Sequence, residues 1–187
     1  MGKHSDDISL EPVDLRGPGF PEFVDFMTNN TFPFHVRIQP SREQIIEALN
    51  SGRFDDDDHL TFWVGHRLYG KIGVMILEDL GDNAPLFDFR LDERFRGLGF
   101  GTPALRLLAS YVFETFPEVN RFEGQTREDN IAMRKTFLRA GFLKEAHYSE
   151  GWPVDNGKPL ASVAYAILRS DWLSGEATQF VWEDLRA

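Results

Sequence analysis

Residues 94–101 read RFRGLGFG, with glycine at 97, 99 and 101, directly behind Arg94 and Arg96 and ahead of the run TPALRLLASYVFETFP (102–117). In that run Leu105, Leu108, Ala109, Val112 and Phe116 recur at helical spacing, which predicts a helix with one apolar face. Before the glycines, APLFDFRLDE (84–93) alternates with period two. It predicts a strand with Leu86, Asp88 and Arg90 on one face and Phe87, Phe89 and Leu91 on the other. The glycines therefore lie at a strand-to-helix junction. Backbone N–H groups at a helix amino terminus form an anion site, and glycine lets the chain approach a phosphate closely. RFRGLGFG thus suits a pyrophosphate cradle, and equally a plain turn. It is not a Walker P-loop, because Gly101 is followed by Thr102 and Pro103 instead of Lys and Ser/Thr. It is not a dinucleotide fingerprint either, because the third glycine is misplaced and a meander precedes it.

Outward from this junction, LTFWVGHRLYG (60–70) and KIGVMILED (71–79) predict two strands turning near Tyr69 and Gly70, which with 84–93 make an antiparallel meander. Upstream, ISLEPVD (8–14) reads as a strand and PEFVDFMTNN (21–30) as a helix, followed by the loop TFPFHVRIQP (31–40). Ser41 and Gln44 form a capping box for a helix over SREQIIEALN that Gly52 can end. The acidic run Asp55 to Asp58 reads as a solvated loop. Downstream, RFEGQT (121–126) is a strand, NIAMRKTFLRAG (130–141) a helix closed by Gly141, and LKEAHYSE (143–150) and ASVAYAILR (161–169) are strands. No linker or repeat interrupts the series. The expectation is one mixed α/β (α+β) domain over 8–172 with a tail over 173–187.

Composition narrows the function classes. At 187 residues, 42% apolar and 17 Phe, the chain can bury one sizeable core. It has no cysteine, which excludes a disulfide framework, a thiol nucleophile and a Cys-ligated zinc site. The five histidines, at 4, 35, 59, 66 and 147, lack metal-ligand spacing, so no metal is expected. A net charge of −10 disfavours nucleic acid as a partner. No apolar run approaches the roughly 18 residues of a membrane span, and MGKHSDD lacks the apolar stretch of a signal peptide, so a cytoplasmic protein without membrane attachment is expected.

Two motifs together carry a family resemblance. Arg96-Gly97-Leu98-Gly99-Phe100-Gly101 resembles the Arg/Gln-x-x-Gly-x-Gly/Ala signature of the GNAT superfamily of N-acetyltransferases. Asn130, Phe137 and Gly141-Phe142 resemble that family's Asn-x(6)-Tyr/Phe-x(3)-Gly-Phe helix, and the closing YAILRSDW is similar to the bacterial ribosomal-protein acetyltransferase-like (RimJ/RimL-type) branch. The resemblance implies a central, mostly antiparallel sheet of about six or seven strands flanked by helices and splayed beside a third-strand bulge. It further implies acetyl-CoA as co-substrate, with its pantetheine arm in the split and its pyrophosphate on the amides of 96–101. The residues so implicated in binding it are Leu91, Arg96, Gly97, Leu98, Gly99, Phe100, Gly101, Thr102, Asn130 and Phe137. A homodimer is compatible with this reading.

The implied chemistry is direct acetyl transfer from the thioester to a primary amine of a small molecule or a protein amino terminus. The amine must be neutral to attack. At pH 7 that costs about 4.6 kcal/mol for an amine of pKa near 10.4 and only about 1 kcal/mol for an α-amine. Many relatives carry a Glu on the third strand of the meander where this chain has Leu86. The base candidates are therefore Asp88, its nearest carboxylate on the same face, Glu123 on RFEGQT, and His35 in FPFHVR as a proton relay. Each has a structural alternative: Asp88 as partner of Arg90, Glu123 as partner of Arg121 or Arg127, His35 as a hydrogen-bonded loop residue. Phe137 stands where many relatives have an acidic Tyr and Met133 where some have Ser, so neither supplies a proton, which leaves water or Tyr148. Trp63, Arg90, Tyr148 and Trp152 are candidate acceptor contacts, although large aromatics are also ordinary core residues. The alternative reading of the whole chain is a catalytically silent CoA-binding module.

Overall fold

The computed structural model describes residues 7–154 and 157–181, so the MGKHSD start and the last six residues of the tail lie outside the described residues. The first sheet contains β1 (Ile8–Pro12), β2 (Leu60–His66), β3 (Gly70–Glu78) and β4 (Leu86–Leu91), hydrogen-bonded in that order and antiparallel throughout. The second contains β5 (Arg121–Arg127), β6 (Leu143–Trp152) and β7 (Leu160–Leu168) in the antiparallel order β5-β7-β6. Among the described residues five α-helices flank them: α1 (Gly19–Asn29), α2 (Arg42–Asn50), α3 (Gly101–Thr115), α4 (Ile131–Ala140) and α5 (Arg169–Ser174). The elements follow the expected order and the antiparallel meander is present. Among the described residues no helix is long and apolar enough to cross a membrane.

The meander is buried on both sides, which is why β3 is an almost unbroken apolar run. On one face Phe62, Met75, Leu77 and Phe87 pack with Leu105, Leu108 and Val112 of α3 and with Phe122, Phe137 and Phe142. On the other, Trp63, Val74 and Ile76 pack with Phe23, Val24 and Met27 of α1 and Ile45 of α2. Local chemistry fixes the helix ends. The Ser41–Gln44 capping box opens α2, and Gly141, left-handed at φ 98°, closes α4. Beyond β7, Arg169 donates to the carbonyls of Val119, Phe113 and Phe116 at 2.8, 2.7 and 2.6 Å, stapling the end of α3. Asp171 of α5 receives the Thr178 hydroxyl at 2.6 Å.

The two sheets meet edge to edge at one end only. The Glu123 N–H donates to the Pro85 carbonyl at 3.1 Å, and beyond that point no ladder joins β4 to β5. Gly124 makes the junction. A Cβ there would stand 2.5 Å from Cε1 of Phe87 and 2.9 Å from Cζ of Phe137, so the missing side chain is what lets these rings pack between the sheets. The bulge expected beside the split lies elsewhere. Val64 pairs Gly73 while Gly65 pairs Lys71, leaving Ile72 of β3 as the extra residue on the β2 side, whereas the β3–β4 register is continuous from Gly73↔Leu91 to Glu78↔Leu86.

Candidate active site

At the open end of the split stands the glycine turn. Gly97 and Gly99 have φ of 74° and 91°, in the left-handed region, and no atom lies within 4 Å of where a Cβ would project at either. Phe100, 3% exposed and packed on Phe95 at 6.4 Å, anchors the turn from beneath, while Leu98 points outward. Gly101 and Thr102 form the first turn of α3, which has no side-chain cap and no acidic residue. The Arg96 side chain turns inward. Its Nε donates to the Leu91 carbonyl at 2.9 Å and its guanidinium also bonds the Thr31 carbonyl. Arg96 therefore braces the turn against the end of β4, and what this segment offers an anion is uncapped backbone N–H and open space.

A cavity of about 740 Å³ lies where β4 and the β5–α4 unit meet the loop before α2 and α2 itself, from which Val36, Arg37, Gln44, Ile45, Glu47 and Ala48 line it. Leu86 to Arg90 form one wall, Gln125, Thr126, Asn130 and Met133 the opposite one, and Phe34, His35, Glu78 and Trp152 contribute elsewhere. Cross-strand register sets which polar groups share it. Glu78 pairs Leu86, Ile76 pairs Asp88 and Val74 pairs Arg90, so Glu78, Asp88 and Arg90 stand on the sheet face turned towards α1 and α2.

Asp88 is fully engaged. Its carboxylate accepts from Arg90 Nε at 3.0 Å and Nη2 at 2.6 Å, and pairs with His35 Nε2 at 2.8 Å. Burial pushes its pKa up, but the charge of Arg90 and the charge and hydrogen bond of His35 outweigh burial and hold the carboxyl far below the ordinary range. Of the two roles open to Asp88 in the sequence, the pairing with Arg90 is present in the structure. Arg90 is held the same way, over the Phe32 ring at 4.8 Å. His35 sits against Phe32 at 5.6 Å, and its Nδ1 is buried with no hydrogen-bond partner.

The other expected residues divide between cavity and scaffold. Glu123 is bonded to Arg121 at 2.7 Å, and Arg121 also pairs with Glu145; Glu123 does not line the cavity. Trp63 is 4% exposed in the core beneath α1, and Tyr148 is an exposed residue of β6; neither lines the cavity. Trp152 does line it, with its indole N–H buried and unpartnered. Asn130 caps α4, its Oδ1 accepting from the Met133 N–H at 3.2 Å and its Nδ2 donating to Thr126 at 3.0 Å. Phe137 is wholly buried, stacked on Tyr165 at 4.7 Å with the planes 2° apart.

Glu78 was not among the residues the sequence singled out. It lines the cavity, burial and the neighbouring Asp88 charge raise its pKa, and Arg53 and His59 oppose that only in part. The signal was the hairpin arithmetic, since a lone carboxylate ending an apolar strand is carried by register to the position opposite Leu86. Among the described residues no group of three or more His, Asp or Glu is placed to hold a metal ion.

This architecture can be compared with known proteins. Residues 10–143 match the family model of the acetyltransferase (GNAT) domain. The chain belongs to the GNAT acetyltransferase domain family. Among solved structures it resembles spermidine N-acetyltransferase from Vibrio cholerae in complex with CoA and spermine, at 20% identity and a TM-score of 0.74 over 90% of this chain and 99% of that one. It also resembles a probable acetyltransferase at 21% identity and a TM-score of 0.70, over 91% of this chain and 96% of the other. A dodecameric form of the Vibrio cholerae enzyme matches at 19% identity and a TM-score of 0.68, over 91% and 98%. No curated protein matches the chain significantly.

Proposed function

We propose that the protein is an acetyl-CoA-dependent N-acetyltransferase that passes the acetyl group directly to a primary amine, on a small molecule or a protein amino terminus. The observation that carries this reading is the turn at Gly97 and Gly99, where no protein atom would meet a Cβ, placed where the uncapped start of α3 meets the split between β4 and β5. A pyrophosphate fits backbone N–H groups so arranged, and the pantetheine arm would then run along β4 to deliver the thioester into the cavity. The chain's own contribution is to hold the two reactants side by side in a half-open cleft, and such positioning by itself can supply much of the rate.

The acceptor is not narrowed to a polyamine by charge. Among the described residues the cavity is lined by Glu47, Glu78 and Asp88 but also by Arg37, Arg53 and Arg90, so acids and guanidiniums balance. The match to the ribosomal-protein-like branch rests on the closing YAILRSDW alone. The test is CoA thiol release from acetyl-CoA with polyamines, aminoglycosides, amino acids and amino-terminal peptides as acceptors. Amine-dependent release is the expected result. Binding of acetyl-CoA with no release from any amine would replace this reading with that of a silent CoA-binding module.

A further inference from the structure

The ion-pair network that fixes Asp88 leaves a second carboxylate of the same cavity outside it. Glu78 ends β3 opposite Leu86, on the sheet face that carries Asp88 and Arg90. Its side chain is 24% exposed, accepts no hydrogen bond among the described residues, and has Arg53 as its nearest cation at 3.9 Å. Arg53 is itself 59% exposed, so this contact is long and open to solvent. Asp88, by contrast, is held by two partners at 2.6 and 2.8 Å. Of the two carboxylates on this face, both of which line the cavity, only Glu78 accepts no hydrogen bond among the described residues.

Resting on the acetyltransferase reading above, we infer that Glu78 is the general base of the transfer, taking its proton from the acceptor ammonium within that cavity. The step balances as follows. The ammonium gives one proton to Glu78, which passes it to solvent. The freed lone pair attacks the thioester carbonyl carbon, forming the C–N bond. The C–S bond breaks with its electron pair on sulfur, a second N–H proton ends on that sulfur as the CoA thiol, and the third hydrogen stays on the amide nitrogen. The surroundings suit the task. Burial first, and then the fixed charge of Asp88 and the adjacent Asp79, favour the protonated form of Glu78, while Arg53 and His59 favour the anion. Of the other charged or titratable residues lining the cavity, His35 and Arg90 are both committed to Asp88, while Arg37 lies in the loop before α2 and Glu47 on α2. The balance brings a glutamate closer to neutral pH than its ordinary value near 4.3, where a base is more effective.

The experiment compares wild type, Glu78→Gln and Glu78→Asp in kcat/KM against pH with an amine identified by thiol release, alongside the melting shift produced by acetyl-CoA. Glu78→Gln should lower kcat/KM at pH 7 by roughly 10²- to 10⁴-fold with the acetyl-CoA shift unchanged, and the loss should shrink as pH rises towards the pKa of the amine. Glu78→Asp, which keeps a carboxylate, should retain the acid limb of the wild-type profile. A carboxyl carbon NMR titration, with the resonance assigned by its absence in Glu78→Gln, should place the Glu78 midpoint above that of an ordinary glutamate. Turnover by Glu78→Gln within twofold of wild type, or a loss equal at every pH, would overturn the role of Glu78 while leaving the acetyltransferase reading intact. Wild type that binds acetyl-CoA yet releases thiol to no amine would overturn both.

Discussion

Asp88 and Glu78 lie on one sheet face, and their neighbours push them in opposite directions. Arg90 and His35 hold Asp88 as an anion, so its contribution to stability is present above the unfolded carboxylate pKa of about 3.9 and is lost only as pH falls below that through the lower folded value. Removing it strands a guanidinium whose side chain is 10% exposed. Asp88→Ala should therefore cost about 3 to 5 kcal/mol in urea unfolding at pH 7, and the difference from wild type should hold down to about pH 4 and narrow below it. Glu78 has the reverse sign. Its folded pKa is raised, so the protonated form is the stabilised one, and the carboxylate becomes a cost as pH climbs through the folded value. Glu78→Gln should thus melt no lower than wild type at pH 5 and above it at pH 8, the reverse of what a glutamate held as an anion by a stabilising ion pair would give. Alternation along β4 made the shared face of Asp88 and Arg90 legible in the sequence. The third partner was not, because His35 approaches from a loop 53 residues away, and no local pattern encodes where a loop lands.

The elements were largely legible because each signal was a local one: the capping box at Ser41, the period-two run of β4, and the glycine that closes α4 at 141. What the sequence left open was which aromatic serves which purpose, since burial is decided by packing between elements. Trp63 meets Phe23 and Phe26 at 6.4 and 5.6 Å and belongs to the α1 interface. Phe137 belongs to the seam where β4, β5, α4 and β7 converge. Its Cζ lies 2.9 Å from the place a Cβ at Gly124 would take, with Phe87 at 5.8 Å and Tyr165 stacked at 4.7 Å on its face. Phe137→Tyr adds a hydroxyl at that Cζ, in a seam with no space for it. The variant should lose about 1 to 3 kcal/mol of stability through overpacking and a buried, unpaired hydroxyl, and should gain nothing in turnover. A tenfold faster Phe137→Tyr would instead mean that its ring can reach the departing thiolate, and that the seam opens when acetyl-CoA binds.

At the scale of the whole molecule, the two sheets touch at one end through the Glu123-to-Pro85 hydrogen bond and the aromatic seam, and part at the other between the glycine turn and α4. A ligand lying in that split contacts both sheets at once, so its binding free energy should appear as stability of the entire fold. At a concentration one hundred times its Kd, acetyl-CoA should add about 2.7 kcal/mol and slow amide exchange at residues 97–102 together with the facing edges of β4 and β5. The cradle should control that effect. Gly99→Glu places a negative side chain where the pyrophosphate would rest, in space the structure leaves open for 4 Å around. Any L-residue at φ 91° also carries left-handed strain of about 1 to 2 kcal/mol, so the variant's own melting temperature should fall as well. Gly99→Ala separates the two causes, because it shares the strain but lacks the charge and most of the bulk. We expect both variants to melt lower than wild type without ligand, Gly99→Ala to keep a reduced shift with acetyl-CoA, and Gly99→Glu to show none. Equal shifts in wild type and a folded Gly99→Glu would remove the glycine turn from the binding site, leaving its open φ values as a feature of the strand-to-helix turn alone.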